Sequence, residues 1–193
     1  MSNFTGIVNF IFEINNMKRF EHCGSKFAGV KHPDSLAEHV FRTTQIAYIL
    51  ARLEGLDDSQ LLRVLEIALF HDNGEVRVGD FHKIASKYID SDEAEQKAYE
   101  DQLSQLPAEV SARLQEILVK YNQKEKSIEY IIAKDADLLE TVFQAKEYME
   151  LGYPTSRWIE NAEQYLTTTN AKEILKFMKT KSLGDWWNDL NRA

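Results

Sequence analysis

The chain of 193 residues has one cysteine, three prolines and eight glycines. The lone Cys23 excludes an internal disulfide and suits a reducing compartment, so a cytoplasmic location is expected. No apolar run reaches the roughly 18 residues needed to cross a bilayer. The opening stretch, MSNFTGIVNFIFEINNMKRF, lacks both a basic start and a small-residue cleavage site. It is expected to form an amphipathic first helix, not a signal peptide. Basic residues are also short: 23 Lys and Arg stand against 31 Asp and Glu, a net charge of −8. That balance excludes a general electrostatic grip on a nucleic acid polymer. It leaves room for one small phosphorylated ligand held by a few local cations, and the acids can concentrate a divalent metal.

What the chain does have is helical periodicity. Apolar residues make up 44% of it, and no run shows the strict alternation of a strand. Without linker, repeat or low-complexity tract, it reads as one all-α domain over residues 1–193. A metal-binding core is expected at about 35–150, with C-terminal helices over 156–191 packing on it. Phe4, Ile7, Val8, Ile11 and Phe12 mark the buried face of a first helix running to Phe20. A loop is expected over His22 to Pro33. Ser35-Leu-Ala-Glu38 is a capping box opening a helix to Glu54, with Leu36, Val40, Thr43, Ala47 and Leu50 as its buried stripe and His39 on that side. Asp57 or Asp58 caps the next helix. Its run Leu61, Leu62, Val64, Leu65, Ile67, Ala68, Leu69, Phe70 is apolar almost all round, as in the middle of a bundle. Further helices are expected over Asp90–Leu106 (a charged surface helix), Pro107–Tyr121, Lys126–Leu151, Ser156–Leu166 and Asn170–Thr180. Leu183 to Leu190, with Trp186 and Trp187, is expected to pack back on the body.

The most apolar helix ends in His71 and Asp72, followed by Glu75 and Asp80. A histidine near the last carbonyls is favourable, and Asn73-Gly74 offers a left-handed cap. Neither explains Asp72, whose negative charge sits at the negative end of the helix dipole. A cation must offset it, and a bound metal would do so. Metals of the Mn, Fe, Co and Zn group accept mixed imidazole and carboxylate donors. His39 is a candidate, although a lone histidine on an apolar face is more often a core residue. A further carboxylate is expected from Lys134-Asp-Ala-Asp-Leu-Leu-Glu140. Periodicity puts Asp135 on the main buried stripe and Asp137 on the neighbouring face, and leaves both open.

These residues carry a resemblance. Ser35-x-x-Glu38-His39, His71-Asp72-x-x-Glu75, Gly79-Asp80, Asp135-Ala-Asp137-Leu-Leu-Glu140 and Gln144-Ala-x-Glu147-Tyr148 together resemble the HD superfamily of metal-dependent phosphohydrolases. Within it they are similar to the branch of 5′-deoxynucleotidases that includes the HD domain-containing protein 2 group. The likeness spans about residues 20 to 150. It implies an HD-domain helical bundle and one divalent ion (Mn, Co, Fe, Zn, Ni or Mg) held by His39, His71, Asp72 and Asp137. It also implies that Glu75 and Asp80 line the same site without being primary ligands. Glu75 would accept a proton from the attacking water or orient it, and Asp80 would serve the leaving alkoxide or the sugar; these two roles are exchangeable. The implied substrate is a nucleoside 5′-monophosphate or similar phosphomonoester, and relatives suggest a homodimer. One departure stands out. Where the branch usually has Arg-x-Gly-Trp before the metal-binding helix, this chain has His22, Gly24 and Ser25. The phosphate anchor then falls to Arg19, His22 or Lys26, with Lys83 a further candidate. Competing readings are an HD-type di-iron oxygenase, which needs extra histidines of which His82 is the spare one downstream, a non-catalytic metal- or nucleotide-binding regulator, and an alarmone pyrophosphohydrolase.

Overall fold

The computed structural model describes residues 4–122, 126–188 and 190, with side chains at 119–122 left aside. Among these residues the architecture is all helical. The elements are α1 (Phe4–Ile14), α2 (Cys23–Phe27), α3 (Leu36–Leu53), α4 (Asp58–Phe70), α5 (Glu75–Val78), α6 (Ser91–Ser104), α7 (Ala108–Asn122), α8 (Ile128–Glu150), α9 (Ser156–Asn161), α10 (Thr169–Lys179) and α11 (Asp185–Asn188). No helix among the described residues is long and apolar enough to cross a membrane.

Three helices make the frame. α3, α4 and α8 pack on one another around Ala47, Leu50, Val64, Ala68, Ile132, Leu139 and Val142, all buried. Local chemistry sets where they begin. Ser35 Oγ accepts from the Glu38 amide while Glu38 Oε2 accepts from the Ser35 amide, the reciprocal pair the sequence predicts. Asp57, not Asp58, caps α4 through the same exchange with Gln60. Ser127 caps α8. On the far side, Ile159, Ala162, Leu166, Ala171, Leu175 and Met178 are buried in the same core.

Several expectations need correction. α1 buries Gly6 and Phe10, whereas Phe4, Val8, Ile11 and Phe12 of the expected buried face lie exposed. The helix ends at Ile14, and a 3-10 turn over Asn15–Lys18 follows. Inside the expected loop, α2 forms one turn. α4 is not surrounded: Leu62 and Leu69 face outward, because neighbours cover only the Leu61, Val64, Ile67 and Ala68 side. The charged α6 is no mere surface helix, since it buries Ala98, Tyr99, Gln102 and Leu103. α11 buries none of its residues. Trp186 and Trp187 stack edge-on against each other, and among the described residues the Leu183 amide on Glu150 ties this segment to the body.

Gly74 corrects the sequence reading most usefully. It is right-handed (φ −59°), not a left-handed cap. Its role is room: a Cβ there would lie 2.8 Å from the Glu95 carbonyl oxygen of α6. The left-handed residue comes later, at Gly79 (φ 83°), where α5 ends. Gly74→Ala should therefore cost about 1–3 kcal/mol by overpacking against backbone. Urea unfolding with an unchanged m-value is the measurement, and an unaltered midpoint would mean that α6 yields without cost.

Candidate metal centre

The end of the capping box puts His39 in the first turn of α3, where it is 2% exposed. α4 ends one residue before His71, whose amide still donates to Ile67 O. Asp72 follows as the chain leaves the helix. From α8 come Asp137 and, one turn on, Glu140. These residues meet where α3, α4 and α8 converge.

Each imidazole has its outer nitrogen occupied. His39 Nδ1 lies 2.5 Å from Glu140 Oε2, and His71 Nδ1 lies 3.0 Å from Ala68 O. Both outer partners are acceptors, so the protons belong on Nδ1 and the Nε2 lone pairs face inward. The inward atoms are close together. His39 Nε2 is 3.2 Å from Asp137 Oδ1 and 3.5 Å from Asp72 Oδ2. His71 Nε2 is 3.1 Å from Asp72 Oδ1 and 3.9 Å from Asp137 Oδ1. Ligands roughly 2.0–2.2 Å from one tetrahedral ion stand roughly 3.3–3.6 Å apart. The spacing and the donor set, two imidazoles and two carboxylates, fit a divalent cation.

The electrostatics point the same way. Burial opposes a proton on His39, yet the hydrogen bonds to Asp137 and Glu140 and the charge of Asp72 outweigh it and carry His39 well above the imidazole range. Asp137 is held well below the carboxylate range: burial works against ionisation, but Lys134, His39 and His71 overcome it. Lys134 takes the outer oxygen, Oδ2, at 2.6 Å and leaves Oδ1 to the imidazoles. Beside this group, burial pushes the Glu75 carboxyl up to about 11, reinforced by Asp72, Asp80 and Glu95. Its Oε2 is buried with no hydrogen-bond partner. The acids around Asp72 outnumber the positive charge beside them, and protons or a cation must make up the difference.

Asp135 has a different job. Its oxygens accept from the Thr167 and Thr168 amides and the Thr168 hydroxyl, at 2.7–2.9 Å, and so secure the start of α10. It and Asp137 point to different partners, which periodicity could not resolve. Asp80 Oδ2 accepts from the Cys23 amide at 2.6 Å, joining the loop after α5 to α2. Of the candidate phosphate contacts, His22 lies at the cluster: its ring is 4.5 Å from that of His39, and a ring nitrogen can share one point with ligand atoms of His39 and Asp72. Behind it stands Asp34, whose Oδ2 is 3.5 Å from His22 Nδ1 and whose Oδ1 accepts from Tyr148. Arg19 bonds Asn16 and borders an open hollow with Glu21 and Glu38. Lys26 pairs with Glu21, and Lys83 lies over the Tyr165 ring. His82 packs on Phe27 and accepts from the Ala85 amide.

The sequence reading missed Glu95. Burial, then Asp72, Asp92 and Asp80, pushes its carboxyl up to about 7. Its signal was available: Glu95 precedes Ala98, Tyr99, Gln102 and Leu103 at the spacing of one helix face, an acid aligned with a buried stripe.

Comparisons with known proteins bear on the family. A family model described as "HD domain" matches residues 14–177. The protein called 5′-deoxynucleotidase HDDC2 in Dictyostelium discoideum is 29% identical over 154 residues, covering 77% of this chain and 78% of that protein. Its human namesake is 25% identical over 175 residues, covering 89% and 82%. Among solved structures, a conserved hypothetical protein from Pyrococcus furiosus superposes with a TM-score of 0.74 at 28% identity, covering 90% of this chain and 99% of the other.

The charge shortage has a measurable sign. Glu75 keeps its proton up to about 11 when folded, while the unfolded chain sheds it near 4.5. Unfolding releases a proton across that interval, so stability falls as pH rises. The support from His39 is complete below its unfolded value of 6.5 and is lost as pH climbs through the raised folded value, in the same direction. In chelating buffer the melting temperature should fall from pH 5 to pH 9. Added divalent metal should restore it, and by more at the higher pH, because the cation replaces those protons. A chelated protein that gains stability over this range would contradict the charge balance.

Proposed function

The chain belongs to the HD domain family of metal-dependent phosphohydrolases, and from that premise we propose that it releases phosphate from nucleoside 5′-monophosphates, deoxynucleotides among them. The observation that carries the reading is the meeting of His39, His71, Asp72 and Asp137 beside two further acids, Glu75 and Asp80. The substrate class is supported by relatives called 5′-deoxynucleotidase. We assign one divalent ion to His39, His71, Asp72 and Asp137. When bound, such an ion supplies Lewis-acid charge and lowers the pKa of a water.

The chain's own groups then divide the work. With a divalent ion in place Glu75 would give up its own proton and, as a carboxylate whose buried Oε2 has no other hydrogen-bond partner, accept the proton of the attacking water. Asp80, anchored through Oδ2 on the Cys23 amide, keeps its other oxygen for the leaving alkoxide or the sugar hydroxyl. His22, backed by Asp34, contacts the phosphate in place of the branch's arginine. Positioning and charge stabilisation dominate phosphoryl transfer, so this small set of groups is sufficient. A cytoplasmic homodimer completes the proposal.

Metal-stripped protein given Mn, Co, Mg or Zn singly should release phosphate from nucleoside 5′-monophosphates only with metal, and Asp72→Ala should abolish release. Glu75→Gln should lower kcat by about 10²–10⁴-fold while metal stays bound. A folded, metal-loaded protein that is inactive on the whole nucleotide panel would overturn the reading.

A further inference from the structure

The segment Gln144-Ala-x-Glu147-Tyr148 takes no part in the reaction proposed above, yet it shares a helix face with Asp137 and Glu140. That face meets α3 at Arg42, one turn beyond His39. Arg42 donates through Nε to Glu140 Oε1 at 2.9 Å, through Nη1 to Glu147 Oε1 at 2.6 Å and through Nη2 to Gln144 Oε1 at 2.7 Å. Nη2 also stands 2.8 Å from Glu140 Oε1. Oε1 of Glu140 is thus held by the guanidinium, and Oε2 is left for His39 Nδ1 at 2.5 Å. Glu140 is 1% exposed and His39 2%, so water cannot stand in for either partner.

We infer that Glu140 is a positioning residue for His39 and that Arg42, braced by Gln144 and Glu147, holds Glu140 in place. The inference rests on reading His39 as a metal ligand. A carboxylate whose other oxygen is filled by arginine donors can only accept from the imidazole. Nδ1 must then carry the proton, and the ring cannot turn or present the wrong tautomer. The other imidazole has a simpler support, a backbone carbonyl, so the two rings differ in how they fail. A side-chain support can be removed by substitution and a carbonyl cannot. The motif over residues 140–147 thereby gains a role that involves no contact with substrate.

Cobalt(II) alone is the probe, read by equilibrium binding and by its visible absorption, with circular dichroism to verify folding. Glu140→Gln should bind cobalt about 10–100-fold more weakly and with an altered spectrum. Arg42→Met should move both readouts in the same direction by a smaller amount. Asp135→Asn, a buried carboxylate facing α10, should lower stability and leave the cobalt spectrum alone. Folded Glu140→Gln and Arg42→Met proteins with wild-type affinity and spectrum would overturn the inference. Should Glu140→Gln fail to fold, the part-exposed Arg42→Met decides: weaker cobalt binding supports the relay and unchanged binding overturns it. A wild-type chain that binds cobalt but releases no phosphate would remove the hydrolase reading and leave the relay standing.

Discussion

Two imidazole lone pairs and two carboxylates point at one small volume where α3, α4 and α8 meet. Buried acids without matching positive charge cost several kcal/mol each, and Glu75 adds another within the same neighbourhood. The fixed cations nearby serve the periphery: Lys134 holds the outer oxygen of Asp137, and Arg42 holds Glu140. The centre is therefore stable only with a proton or a cation inside it. Asp72, at the negative end of α4, is also opposed by its own helix dipole.

The rest of the bundle keeps these groups in register. α3 contributes His39 only because its capping box fixes which residue starts the helix. α4 delivers His71 and Asp72 only because its Val64 and Ala68 face lies against α8. Gly74, having no Cβ, lets the Glu95 backbone of α6 approach closely, which brings Glu95 towards Asp72. Asp135, two residues from Asp137, fastens α10 to α8 and leaves Asp137 to the centre. Neighbouring carboxylates on one helix thus do separate work, one holding the fold and one facing the site.

Much of this was legible in the residues. Capping boxes name their helix starts because both halves are local, and a carboxylate at a helix C-terminus signals a cation because the dipole argument is local too. Asp135 against Asp137 was not legible from periodicity, since both angles lie near a buried face and only the partner helix distinguishes them. α1 misled because its apolar residues share a face, and local pattern does not say whether a neighbour covers it; here Phe10 packs inward and Phe4, Val8, Ile11 and Phe12 do not. Gly74 was read as a conformational glycine when its role is steric, a fact held 21 residues away at Glu95.

His22 bears on how substrate and metal depend on each other. Asp72, Glu75, Asp80 and Glu95 lie close enough to influence one another around the centre that a phosphate would enter. An arginine would carry permanent charge to that encounter and bind phosphate in a planar fork. An imidazole beside Asp34 offers a single directed donor, and its neighbour carboxylate offsets much of whatever charge it has. On the proposed reading, attraction for the phosphate then falls chiefly to the divalent ion. Metal and substrate become coupled ligands: the ion relieves the repulsion among the acids and creates the potential that admits the phosphate. On that reading, His22→Arg would keep part of the phosphate affinity when the metal is removed, whereas the chain with His22 would give up nearly all of it.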